Sequence, residues 1–299
     1  MKTINKSRLV IWLFSMLLLL YLGCQKNQNK TTEPVQPATV NTSTARDTVD
    51  ALTSETALEW QQKNQALKKE GLLRKQDDRK SLQEDVLTKE LFEETDDYVI
   101  DYRYPYLNEE RNAGYSTFNA YMKENYLDLE KTREDLLEDR QFLCDTINGV
   151  RIKEQRLIDF KIHATANDLI SILLYKENYY SGMAHSAYTF DCLNYDVNKQ
   201  DFIYFDDFFV DHAQREMLEI INRTIEKKIT SGDLYIACWE LAPSDFQIYK
   251  NNFVVNGEAV EFYFDDCIIC PAYTGTYSIA IPLPEVLHLI REFQKPLLT

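Results

Sequence analysis

Hydrophobic and polar positions repeat with two different periods along this chain, and the switches between them mark out its elements. From Asp97 to Leu107 the period is two. Tyr98, Ile100, Tyr102 and Tyr104 share one face and Val99, Asp101 and Arg103 the other, which predicts a half-buried strand stopped by Pro105. From Asn112 the period lengthens: Tyr115, Phe118, Tyr121, Met122, Tyr126 and Leu129 follow helical spacing. Leu136 and Leu137 continue that stripe toward Leu143, so one long amphipathic helix covering a sheet is expected. Asn148-Gly149 signals a hairpin, and Ile158, Phe160, Ile162 and Ala164 alternate as a second strand. Asn167-Asp168 then turns the chain into a third, Leu169 to Tyr175. Beyond a loop at Ser181-Gly182-Met183-Ala184-His185, Tyr188 to Val197 and Asp201 to Phe205 are expected to pair across Asn198-Lys199-Gln200. These links are too short for parallel crossovers, so the strands read as an antiparallel meander.

The pattern turns helical again after Phe209. Asp211 and Gln214 have the spacing of a capping box, Met217, Ile221, Ile225 and Ile229 form an apolar face, and Ser231-Gly232 supplies the stop. Asp245 to Tyr249, Phe253 to Val255, Ala259 to Phe264 and Tyr277 to Ile281 read as strands, with a turn at Asn256-Gly257. Pro284 suits the first turn of a last helix over Glu285 to Phe293. The predicted class is α+β: a twisted antiparallel sheet with helices layered on it.

The first residues belong to a different regime. Lys2, Lys6 and Arg8 precede the apolar run Leu9 to Leu22, shorter than the roughly eighteen residues expected of a spanning helix. Leu22-Gly23-Cys24 at its end looks like a bacterial lipoprotein signal, with Cys24 as the lipidated residue; Tyr21 departs from that pattern. Gln25 after the cysteine resembles outer-membrane sorting. The expected organisation is a signal peptide over 1–23, a flexible tether over 24–55, a stalk helix over 56–84 and the α+β body over 85–299. The tether is rich in Thr, Asn, Gln and Pro; the stalk places Leu58, Ala66, Leu67, Leu72 and Leu73 at loose helical spacing around Gly71.

Charge narrows the partners. The formal net charge is −15, and loss of Lys2, Lys6 and Arg8 with the leader would take it to −18. Such a surface repels phosphate backbones, so nucleic acid is not expected as a partner, while a basic partner would be steered toward it.

Candidate chemistry is sparse. His185 follows the Gly182 loop and lies near Tyr179, Tyr180 and Tyr188 in sequence. These rings and the loop can form a ligand platform. Alternatively the loop is only a tight connection, with Gly182 at positive φ and His185 bonded to a backbone carbonyl. Cys267 and Cys270 form a C-x-x-C, but Ile268-Ile269 between them favours an extended chain that sends the thiols to opposite faces. Outside the cytoplasm these two and Cys238 are disulfide candidates, and five cysteines after Cys24 leave an odd one over. Asp196, Asn198, Gln200 and Asp207 echo a calcium loop, but Asp201 stands where that loop needs glycine, and a hairpin is expected instead. Asp265-Asp266 and Glu109-Glu110 read as solvated turns. No G-x-S-x-G, H-E-x-x-H or phosphate-binding glycine loop occurs, and neither a cofactor nor a metal site is expected.

Several segments occur in an order that resembles a known family. These are Tyr104-Pro105, Ser171-Ile172, Gly182-Met183-Ala184-His185, Leu193-Asn194-Tyr195-Asp196, Phe205-Asp206-Asp207-Phe208-Phe209, Phe262-Tyr263-Phe264, Pro271-Ala272-Tyr273, Gly275 and Ile281-Pro282. Their order is similar to that of the RsiV-like extracytoplasmic domain of unknown function, found in a lysozyme-sensing anti-sigma factor and in the non-catalytic N-terminal region of the peptidoglycan deacetylase PdaC. Met183 departs from a glycine in that pattern, and Cys267 to Cys270 lies outside it. The resemblance covers roughly residues 85–299 and implies a fold and an envelope setting, not an activity. Joined to the lipobox, it leads to the expectation of a lipid-anchored envelope protein, at an outer membrane facing the periplasm or the surface. Its body would bind a wall glycan or a cationic protein such as lysozyme, without catalysis, through Gly182, His185, Tyr180, Tyr188 and Tyr273. The competing expectations are an envelope hydrolase acting on glycan through acidic residues near His185, and a structural scaffold.

Overall fold

Six strands form the larger of two sheets in the order in which the chain delivers them: β1 (Val86–Glu94), β2 (Tyr98–Leu107), β3 (Glu154–Ala164), β4 (Leu169–Tyr179), β5 (Ala187–Asp196) and β6 (Asp201–Phe202). A second, three-stranded antiparallel sheet contains β7 (Phe253–Val255), β8 (Ala259–Tyr263) and β9 (Ser278–Pro282). The helices are α1 (Tyr115–Tyr126), α2 (Leu129–Gln141), α3 (Phe205–Phe208), α4 (Ala213–Ser231), α5 (Pro243–Tyr249) and α6 (Leu283–Val286). The computed structural model describes residues 84–141, 153–164, 169–180, 183 and 186–291. The predicted leader, tether and stalk, the Asn148-Gly149 hairpin and the Asn167-Asp168 turn lie outside the described residues.

The class is α+β, as the pattern predicts, but the larger sheet is mixed. β2 and β3 run parallel, from Tyr98 opposite Glu154 to Tyr102 opposite Ile158, while its other neighbouring strands are antiparallel. The reason lies in the connection. The chain between β2 and β3 carries both α1 and α2, long enough for the crossover a parallel pair requires.

Other expectations are corrected in detail. Pro105 does not stop β2, which continues to Leu107 against β1. The ladder to β3 has already ended at Tyr102, so the N–H that proline lacks has no strand to serve on that side. The long helix is two helices. Asp128 breaks it, its side chain accepting the Lys131 N–H at 3.0 Å and its carbonyl the Thr132 N–H at 3.0 Å, which starts α2 afresh. The expected capping box of α4 is absent: His212 is the N-cap residue at φ 73° with no side-chain cap, while Asp211 bonds Arg291 at 2.7 Å and Gln214 bonds Gln247 at 2.6 Å. Asp245 to Tyr249 is helical rather than extended, started by Pro243. β6 is only Asp201–Phe202, because Phe205 to Phe208 coils into α3, and the last helix is cut to α6 with a 3₁₀ turn at Leu287–Leu289. Gly232, at φ 82°, ends α4 as predicted.

Packing follows from β4, whose strand buries both faces. Ile170, Ile172 and Leu174 meet Phe118 and Met122 of α1 on one side. Leu173 and Tyr175 meet Val254 and Tyr263 of the small sheet on the other. The small sheet in turn packs Phe253, Val255, Val260, Phe262, Ile279 and Ile281 against Met217, Ile221 and Ile225 of α4. The result is four layers, helices on sheet on sheet on helix, with continuous apolar runs where a strand is covered twice.

Candidate functional site

Two regions concentrate polar side chains inside this framework, and they use them differently. The first is the seam between the sheets. Beyond its two-residue pairing with β6, the outer edge of β5 receives side chains in place of a strand. Asp266 Oδ2 accepts the Tyr188 N–H at 2.8 Å, Asp265 Oδ1 the Phe190 N–H at 2.9 Å and Asn252 Oδ1 the Cys192 N–H at 2.7 Å. Asn252 Nδ2 also donates to the carbonyls of Phe190 and Tyr263, at 2.8 and 3.0 Å. Asp265 is drawn further in by the Tyr249 hydroxyl at 3.1 Å, and burial raises its carboxyl above the usual range. Asp265 and Asp266 are therefore structural acceptors and not a solvated turn.

Deeper in the seam, His163, Ser171 and Asn194 stand side by side on β3, β4 and β5, all fully or almost fully buried. Ser171 Oγ donates to Asn194 Oδ1 and accepts the Val255 N–H at 3.2 Å, and Asn194 Nδ2 donates to the Phe253 carbonyl at 2.8 Å. Neither ring nitrogen of His163 has a hydrogen-bond partner. Its pKa is lowered to about 3, by burial first and by Lys161 second, so the ring is neutral.

The second region is a cavity of about 380 Å³ on the helix-covered side of the large sheet, lined by Tyr102, Thr132, Asp135, Glu138, Arg156, Asn178 and Tyr180. β2, β3 and β4 supply the floor and α2 the wall. Arg156 is locked in place: Nη1 donates to the carbonyls of Gln155 and Tyr179 at 3.1 and 3.2 Å, and Nη2 lies 3.6 Å from Glu154. The guanidinium carbon sits 4.3 Å from the centre of the Tyr180 ring. The wall is fixed by Leu136, buried among Tyr98, Ile100, Tyr102 and Ile158, and by a two-pronged ion pair. Arg133 Nε and Nη2 reach the two Glu93 oxygens at 2.9 and 2.5 Å, and the Tyr98 hydroxyl donates to the same carboxylate at 2.6 Å. These hydrogen bonds, that from Arg133 above all, lower the Glu93 pKa to about 2.

Of the residues singled out by sequence, Tyr180 lines this cavity. Tyr188 faces the opposite side of the sheet, half-buried in the seam with its ring 5.8 Å from those of Tyr175 and Tyr277, and burial pushes its phenol up to about 12. Tyr273 is 49% exposed on the 3₁₀ turn Ala272–Thr274 and lines neither region. Cys24, Gly182 and His185 lie outside the described residues. Cys238 and Cys270 form a disulfide, and Cys267 stands outside it at φ 65°, in a turn where an extended chain was expected. Among the described residues no group of three or more metal-ligating side chains gathers, and no helix is long and apolar enough to cross a membrane.

Arg156, Asn178, Asp135, Glu138 and Thr132 were not singled out by sequence. A signal existed for two of them. Arg156 occupies the inward phase of Ile158, Phe160 and Ile162, and Asn178 that of Ile172 and Leu174. A polar residue in the buried phase of a strand has to be served by something.

Fold and cavity together define a two-sheet α+β domain with a polar pocket between its outer helix and its larger sheet. No protein-family model matches the chain. A curated relative, the peptidoglycan-N-acetylmuramic acid deacetylase PdaC of Bacillus subtilis (strain 168), is 24% identical over 193 residues, 62% of this chain and 41% of that protein. The chain thus matches less than half the length of that relative. Two crystal structures are also similar, a member of the DUF3298 family from Bacteroides fragilis and a DUF3298 family protein from Pseudomonas aeruginosa. Both give a TM-score of 0.48, at 14% and 17% identity, covering 70% and 69% of this chain and 95% and 93% of theirs.

Proposed function

We propose that this is an extracytoplasmic, lipid-anchored envelope protein whose body binds a cell-wall glycan without catalysis, in the cavity between α2 and the large sheet. The observation that carries the reading is the cavity's lining: two tyrosine rings, a locked arginine, an asparagine, a threonine and two carboxylates around about 380 Å³. Sugars need that mixture, an aromatic surface for their C–H faces and planar or hydroxyl groups for their oxygens. The partial similarity to a peptidoglycan-modifying protein supports the wall as the source of the ligand. The lipobox at Leu22-Gly23-Cys24 supports the anchor, and Gln25 an outer membrane as its place.

Two other readings each have an observation behind them. The charge of −15 favours a basic protein such as lysozyme as a partner. Asp135 and Glu138 in one cavity favour a hydrolase, but both project from a single helix face and both are exposed. Glycoside hydrolysis needs carboxyls flanking the scissile bond, one of them desolvated enough to act as an acid.

Calorimetric titration of the full-length chain with soluble wall fragments and, separately, with lysozyme tests the proposal. Saturable binding of fragments, weakened about tenfold by Tyr180→Ala, is the expected result for a ring contact in a site of this kind. Binding of lysozyme alone would replace the glycan by the basic protein. Release of new reducing ends from the fragments would replace binding by catalysis.

A further inference from the structure

We infer that the cavity selects an amino sugar, one carrying a free ammonium group, with the ammonium held between Asp135 and Glu138. This rests on the glycan reading above and names the chemistry of that ligand. The charges around the cavity decide it. At the floor, Arg156 and Glu154 lie 3.6 Å apart with side chains only 10% and 6% exposed, so the one cation among the described lining groups is already matched by a buried anion. Tyr102, Thr132, Asn178 and Tyr180 are neutral lining groups. Asp135 and Glu138 are different: three positions apart on α2, they share a helix face, and no described basic side chain pairs with either. What enters the cavity therefore meets two negative charges that no described cation pairs with.

Each class of sugar fares differently in that field. A uronic acid or a sugar phosphate would be repelled by both carboxylates. An N-acetylated sugar would take water from them and give back only neutral hydrogen bonds. An ammonium supplies three donors and the opposite charge. The sugar oxygens then fall to Asn178, a lining group that a bare lysine side chain from a basic protein would not engage, whereas the Thr132 hydroxyl is already given to the Asp128 carbonyl at 2.9 Å.

The test compares β-linked glucosamine oligomers with fully N-acetylated oligomers of the same length, by calorimetric titration against the full chain. The glucosamine series is expected to bind roughly tenfold more tightly, a gap that high salt narrows because the carboxylates are exposed. Asp135→Asn combined with Glu138→Gln should erase the gap with the melting temperature unchanged, since neither residue is buried. Equal binding of the two series, or tighter binding of the acetylated one, overturns the ammonium preference and leaves the glycan site standing. Binding of neither removes the glycan reading and this inference together. A gap that survives the double substitution, or glucosamine binding that ignores Tyr180→Ala and yields to oligolysine of equal charge, would mean diffuse attraction to an acidic surface and would also overturn it.

Discussion

The seam and the cavity lie on opposite faces of the same sheet and hold similar side chains, yet they differ in what those side chains touch. In the seam, Asp265, Asp266, Asn252, Ser171 and Asn194 are all engaged with backbone groups of a neighbouring strand. In the cavity, Asp135 and Glu138 have no described basic partner, and Asn178 stands beside an arginine that is already held. Polarity alone does not mark a site. An acidic pair becomes informative when the protein's own donors have not claimed it.

The two regions should therefore fail in opposite ways. The largest effect expected is from removing the Cys238–Cys270 bridge, which closes a loop of 32 residues and fixes the turn that carries Asp265 and Asp266. Replacing both cysteines with alanine should lower stability by about 3–4 kcal/mol in denaturant titration, leaving wall-fragment affinity unchanged at temperatures where the chain stays folded. Asn252→Ala comes next. It strands the Cys192 N–H and two carbonyls, and a loss of roughly 2–3 kcal/mol is expected in the same assay.

His163 gives the seam a pH dependence. Its folded pKa of about 3 lies below the ordinary 6.5, so the unfolded chain takes up the proton first. The stabilisation is complete above 6.5 and declines as pH falls toward 3, at a slope approaching about 1.4 kcal/mol per pH unit. Denaturant titrations across that window should show the slope, and His163→Leu should flatten it. Because the ring makes no hydrogen bond, that substitution should cost little at neutral pH; a severe loss there would mean the ring has a partner. The smallest effect on stability, within about 0.5 kcal/mol, is expected for Tyr180→Ala, which should nonetheless weaken fragment binding about tenfold. A variant of the cavity that unfolds the protein, or a variant of the seam that abolishes binding in the folded state, would break the contrast.

Sequence periodicity revealed the strands and α4 because their apolar faces are long and regular. It misplaced features decided by contacts between distant segments. The break at Asp128 depends on a cap that outweighs a continuing apolar stripe, and the parallel pairing of β2 with β3 on where a two-helix connection returns. Asp265-Asp266 looked like a solvated turn because nothing local shows that the edge of β5 arrives beside it. The candidate site suffered most. Tyr180 and Tyr188 are close along the chain, but β4 and β5 turn them to opposite sides of the sheet. Arg156 and Asn178 were visible only as polar interruptions of an apolar alternation.

The three side chains that stand in for a strand along β5 have a consequence for assembly. An open row of amide donors invites a strand from another molecule, and here Asp266, Asp265 and Asn252 answer that invitation from within. A fragment ending before α5 would lose all three and present Tyr188, Phe190 and Cys192 as a bare template. Such a fragment should associate edge to edge with its own copies, so the segments flanking β7 and β8 act as a guard against polymerisation as well as a support for the core.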